Sequence, residues 1–128
     1  MKKPHHLLSG VAITACLLFG TSAMAQTMSS ADYSASKDRI KTEYKADKKA
    51  CDSHSGNAKD VCVAEAKGKK EVSEAELKHT YQPTLKTQYK VSIAKGEAAY
   101  DVAKEKCDDL SGNPKDVCVK EAKAAWTT

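Results

Sequence analysis

Four cysteines beyond residue 25 form two pairs of equal spacing: Cys51 and Cys62 in CDSHSGNAKDVC, and Cys107 and Cys118 in CDDLSGNPKDVC. Three chemistries are open to them. Two thiolates with His54 between them could ligate a soft cation, because sulfur and imidazole suit zinc or copper. A thiol pair could cycle between dithiol and disulfide. Each pair could also close a structural bridge. The second copy carries Leu110 where the first has His54, so a site built on that imidazole exists at most once, and the Cys spacing fits no standard zinc pattern. Thiol-redox catalysts carry Cys-x-x-Cys beside a βαβ pattern, and the sequence has neither. No other group forms a catalytic constellation. His79 stands among Lys78, Thr80 and Tyr81 with no partnered nucleophile and reads as a surface residue. The chain is therefore expected not to be an enzyme and to need no metal or cofactor, with disulfides as the first reading of the Cys pairs.

The oxidising compartment that disulfides require is written at the N-terminus. Lys2 and Lys3 form a basic head, Leu7 to Phe19 an apolar run broken by Ser9 and Gly10, and Ala23-Met24-Ala25 a small-residue site that predicts cleavage between Ala25 and Gln26. This is the pattern of a secretory signal peptide over residues 1–25, and it implies a periplasmic or secreted protein. A competing reading takes Ile13-Thr14-Ala15-Cys16 as a lipobox with lipidation at Cys16. The apolar run is too short for a spanning helix, which needs about 20 such residues, so no integral membrane segment is expected in the mature chain.

Removing residues 1–25 takes away Lys2 and Lys3 and no acid, which leaves 19 basic against 17 acidic side chains and lowers the formal charge from +4 to +2. The remaining Lys residues are interleaved with Asp and Glu, as on a solvated helix face, which argues against nucleic acid as a partner. Ile, Leu, Val and Phe number 12 in the 103 residues after position 25, below the ~20% that an ordinary globular core needs. A core that thin needs staples.

The elements that must hold the Cys pairs are themselves duplicated. At an offset of 56, residues 44–67 match residues 100–123 at 15 of 24 positions, and Tyr33 and Ser36 fall on Tyr89 and Ser92. Two units follow, residues 26–82 and 83–128, each read as helix, tight turn, helix. The segments 31–52 and 85–109 are rich in Ala, Lys and Glu without internal Pro, which favours helix. At 100° per residue, Tyr33, Ile40, Tyr44 and Cys51 lie within about 20° of one line. Tyr89, Gly96, Tyr100 and Cys107 repeat that line, widened by Ile93 and Ala103. Each Cys thus ends an apolar stripe. In the Ser-Gly-Asn turn, Gly is suited to positive φ and Asn to capping the next helix, and Pro114 marks where that helix starts. Val61, Ala64, Gly68, Val72 and Ala75 form a weaker stripe that runs to the break at Gln82-Pro83.

Four Cys allow three pairings. Duplication favours the pairing within each unit, since each copy must once have worked with its own two: Cys51 with Cys62, Cys107 with Cys118. A loop of this size contributes on the order of 3 kcal/mol when closed. The sequence predicts an all-α fold of two tandem disulfide-stapled αα-hairpins, able to close into an irregular four-helix bundle.

The run Tyr-Lys-Ala-x-Lys-x-x-Cys-Asp followed by Ser-Gly-Asn-Ala-Lys-Asp-Val-Cys-Val-x-Glu-Ala-Lys resembles a group of short exported proteobacterial proteins of uncharacterised function, some labelled cell-envelope or TolA-like. The resemblance covers nearly all of the chain after the leader and implies a role in the envelope without specifying it. The expected function is a non-catalytic periplasmic module that binds another protein or an envelope component, or self-associates, through Tyr33, Ile40, Tyr44, Tyr89, Ile93 and Tyr100. The alternative is a periplasmic metal-binding or thiol-redox protein that uses the Cys pairs.

Overall fold

The computed structural model describes residues 28–126. The cleavage site at Ala25 and Gln26, the leader and Cys16 lie outside the described residues. Four helices follow in order: α1 (Ser30–Ala50), α2 (Asn57–Tyr81), α3 (Leu85–Cys107) and α4 (Asn113–Trp126), with a short 3-10 turn over Cys51–Ser53 after α1. No described helix is long and apolar enough to cross a membrane.

Each start has a local cause. Ser29 caps α1 by accepting from the Asp32 amide at 3.0 Å, which satisfies one of the amides a helix leaves free. Thr84 does the same for α3, and Thr87 returns the bond by accepting from the Thr84 amide at 3.0 Å. The start of α2 differs from expectation. Gly56, at φ 57°, is the cap, and Asn57 is already the first helical residue. A glycine in the left-handed region turns the chain into the helix one residue early, and the Asn57 amide is left buried with Nδ2 unpartnered. Gly112, at φ 62°, repeats the turn. There Asn113 opens α4 and Pro114 is its second residue, still among the positions whose N–H has no helical acceptor.

Both within-unit bridges are formed, Cys51 to Cys62 and Cys107 to Cys118, with Cα separations of 5.6 and 5.8 Å. Cys51 is 1% exposed and Cys107 is fully enclosed, so each stripe ends in a buried sulfur.

The helices do not close into a bundle. They form an open series in which α1 packs on α2, α2 on α3 and α3 on α4, and no described Cα of α1 comes within 8 Å of α3 or α4. The most extensive packing joins α2 to α3, across the boundary between the two units. The weak stripe of α2 explains it: Gly68 lies against Ala98 of α3 so closely that a Cβ on Gly68 would sit 2.7 Å from that of Ala98. Small side chains let two backbones approach and exclude water with little apolar volume. Ion pairs stitch the flanks, Lys69 to Asp47 between α1 and α2, and Lys67 to Asp101 and Lys95 to Glu76 between α2 and α3, at 2.8 to 2.9 Å. All are largely exposed, and such pairs contribute at most about 1 kcal/mol each.

Candidate functional site: the open edge of α3

The two tyrosine stripes have different fates. In the first copy the stripe is covered by α2. Ile40 is buried. The Tyr33 ring stacks on Tyr81 with centroids 4.5 Å apart, and Lys78 Nζ lies 5.7 Å from the Tyr33 ring and 5.6 Å from Tyr81. Tyr44 is half-buried with Lys70 Nζ 5.7 Å from its centroid. Ile40 is therefore committed to the hairpin, and Tyr33 and Tyr44 are half-buried against α2.

In the second copy α4 covers α3 from Cys107 back to Gly96. Trp126 packs over Gly96, where a Cβ would meet its indole at 2.6 Å, and lies 6.1 Å from the Tyr100 ring. Tyr100 is thus half-buried beside the indole. Beyond Gly96, toward the start of α3, the same face is bare: Tyr89 is 67% exposed and Leu85 86% exposed, with Ile93 half-buried beside them. Leu85 was not singled out from the sequence. Its four-residue spacing from Tyr89 was the available signal, masked because the repeat aligns it with Ser29, a capping position.

The edge is held at its end by the α2–α3 turn. Thr87, the buried polar residue of α3, places Oγ1 2.7 Å from the Gln82 carbonyl and 3.0 Å from His79 Nδ1. His79 is accordingly a half-buried structural partner of the turn and not a free surface residue. Pro83 stops α2 because it has no N–H to donate and pushes Gln82 out of helical backbone, to φ −135° and ψ 83°.

The Cys loops present a different chemistry. Both pairs are joined, so neither offers thiolates, and His54 is exposed. Among the described residues no three His, Cys, Asp or Glu side chains cluster as a metal site would require. A cleft of about 280 Å³ opens beside the first bridge, lined by Asp47, Ala50, Cys51, Cys62, Glu65, Ala66 and Lys69. Each loop is spanned by an ion pair at 2.8 Å, Lys59 to Asp52 and Lys115 to Asp108. The hydrogen bond from Lys59 holds the Asp52 carboxyl below its ordinary range, and the bonds to Asp52 and Asp108 raise Lys59 and Lys115. These pairs brace the two loops.

No family model, curated protein or solved structure matches the chain.

Proposed function

We propose that the protein is a non-catalytic, disulfide-stapled helical module of the extracytoplasmic envelope, which binds an envelope component through the open edge of α3. One observation carries this reading. Equivalent tyrosines of the two copies are treated oppositely, Tyr33 stacked under Tyr81 and Tyr89 left bare beside an 86% exposed Leu85. Two large apolar side chains one turn apart on a helix, which the fold itself leaves uncovered, offer a small contact surface. The bridges fit the same reading, because they fix the hairpins that set the shape of that edge while Cys51 and Cys107 remain shielded from exchange.

A photoactivatable side chain at position 89, compared with one at the exposed Lys45 of α1, tests it in intact cells. Discrete adducts from position 89 and none from position 45 are the expected result. Adducts from both in equal yield, or from neither, overturn the assignment of the edge. A thiol count on the oxidised protein separates the alternative, since reactive or metal-protected thiols would transfer the function to the Cys pairs.

A further inference from the structure

We propose that the end of the molecule formed by the α2–α3 turn docks on an anionic lipid headgroup surface, an inference that rests on the open-edge reading and names the component bound. The charge distribution points there. Residues 77–96 hold Lys78, Lys86, Lys90 and Lys95 and not one Asp or Glu, although the chain has 17 acidic residues. Lys95 is taken by Glu76, and Lys78 lies over the Tyr33 and Tyr81 rings. Lys86 and Lys90 have no carboxylate within ion-pair distance among the described residues. The first turns of α1, α2 and α4 each carry an Asp, and that of α3 carries none, so the positive end of its dipole adds to the lysines.

The geometry selects a surface over a protein partner. Leu85 and Tyr89 lie one turn apart on one face, and Lys86 and Lys90 form the adjacent row about 100° around the helix. The result is an apolar strip flanked by cations that no described carboxylate pairs. Trp126 closes the strip at Gly96, so its length is about 16 Å at 1.5 Å per residue. A stable protein interface takes roughly 800 Å² from each partner, and one Leu, one Tyr and the lysine stems fall well short of that. Peripheral attachment to a bilayer needs only a few apolar side chains at the headgroup boundary together with nearby lysines. Tyr suits that depth, with its ring in the apolar layer and its hydroxyl wet.

Co-sedimentation of the oxidised protein with phosphatidylethanolamine/phosphatidylglycerol vesicles, against phosphatidylcholine alone, is the test. Partition onto the anionic vesicles should fall with salt and be weak on the neutral ones. The K86Q/K90Q pair should reduce it on the order of thirtyfold, about fivefold per lysine. L85S/Y89S should reduce it at least tenfold, while K45Q/K49Q, with the same change in net charge, should leave it within about twofold. Absence of binding by the unaltered protein, equal losses in the two lysine pairs, or no loss in K86Q/K90Q each overturn the proposal. If vesicles fail to bind while position 89 still crosslinks to a protein, the lipid partner is wrong and the open edge stands. If position 89 yields no adduct, to protein or to lipid, the edge itself is wrong whatever the vesicles show.

Discussion

The two copies share their loop and part company along their helices, and the substitutions that separate them are coupled. Ile40 and Lys70 of the first copy correspond to Gly96 and Trp126 of the second. In the first, Ile40 fills the seam between α1 and α2 and Lys70 lies over Tyr44. In the second, the indole of Trp126 takes the volume that Gly96 vacates and meets Tyr100, the counterpart of Tyr44. Asp47 and Lys69, an ion pair in the first copy, become Ala103 and Ala125. One backbone plan is thus closed by Ile40 with a flanking ion pair in one copy and by a single aromatic in the other. The first seam extends along α2 as far as Tyr81. The second reaches only to Gly96, which leaves the Leu85 and Tyr89 edge bare.

The strongest way to break this comparison is to remove the bridges separately. C107S/C118S and C51S/C62S should each cost on the order of 3 kcal/mol in urea unfolding. Their local effects should diverge. α2 remains clamped by α1 and α3. α4 has 14 residues and, among the described helices, one neighbour, and isolated helices of that length are marginal in water. Amide exchange should accelerate through residues 119–126 in the first variant and not comparably in α2 of the second. Equal protection would mean that Trp126 packing alone holds α4.

G96I tests the coupled substitution by placing the first copy's residue in the second. It should cost about 1–3 kcal/mol through overpacking against the indole. Adding W126K should recover part of that loss in a double-mutant cycle. Strict additivity would show that the two sites are not the matched pair described above. G68A probes the contact between the copies. Its methyl would meet Ala98 Cβ at 2.7 Å and Ala98 Cα at 3.3 Å, so the expected loss is about 1–2 kcal/mol despite the better helix propensity of Ala.

Smaller effects sharpen the contrast. Y33S should cost about 1 kcal/mol or more through loss of the Tyr81 stack, whereas Y89S should stay within about 0.5 kcal/mol, as exposed substitutions do. A comparable loss for Y89S would mean that the edge is not bare in solution. The least effect is expected from D52N. Because Lys59 lowers the folded pKa of Asp52, the stabilisation is present above the unfolded carboxylate value and is lost as pH falls through the lowered folded one. The raised Lys59 contributes below the unfolded lysine value and loses its share as pH rises through its folded one. The urea midpoints of D52N and the unaltered protein should therefore converge in acid. A difference that persists there would assign the effect to something other than the ion pair.

Helix type, the turn glycines and the bridge pairing were legible because each rests on local chemistry: Gly56 and Gly112 on backbone freedom, the Cys pairs on one loop repeated. Two local readings failed at single atoms. Asn57 yielded the cap to Gly56, and His79 found Thr87, a partner eight residues away across a turn. The exposed edge of α3 was only partly legible. Periodicity marks residues that need cover and cannot say which helix supplies it, so it places Tyr33, Ile40, Tyr44 and Tyr100, each packed at least in part against a neighbouring helix, on one line with the exposed Tyr89.

By itself the sequence determined four helices, two Ser-Gly-Asn turns and two sulfur bridges, since these depend on contacts within a dozen residues. Only the tertiary structure decided that α2 and α3 pack across the boundary of the copies, that the array stays open, and that Leu85 and Tyr89 are left bare. The physical reason is that an Ala/Lys/Glu helix of this kind offers more than one face of nearly equal and weak apolarity. Which face is buried is then settled by close approach, as at Gly68 and Ala98, and by how far a neighbouring helix reaches, neither of which is encoded in the period of a single segment.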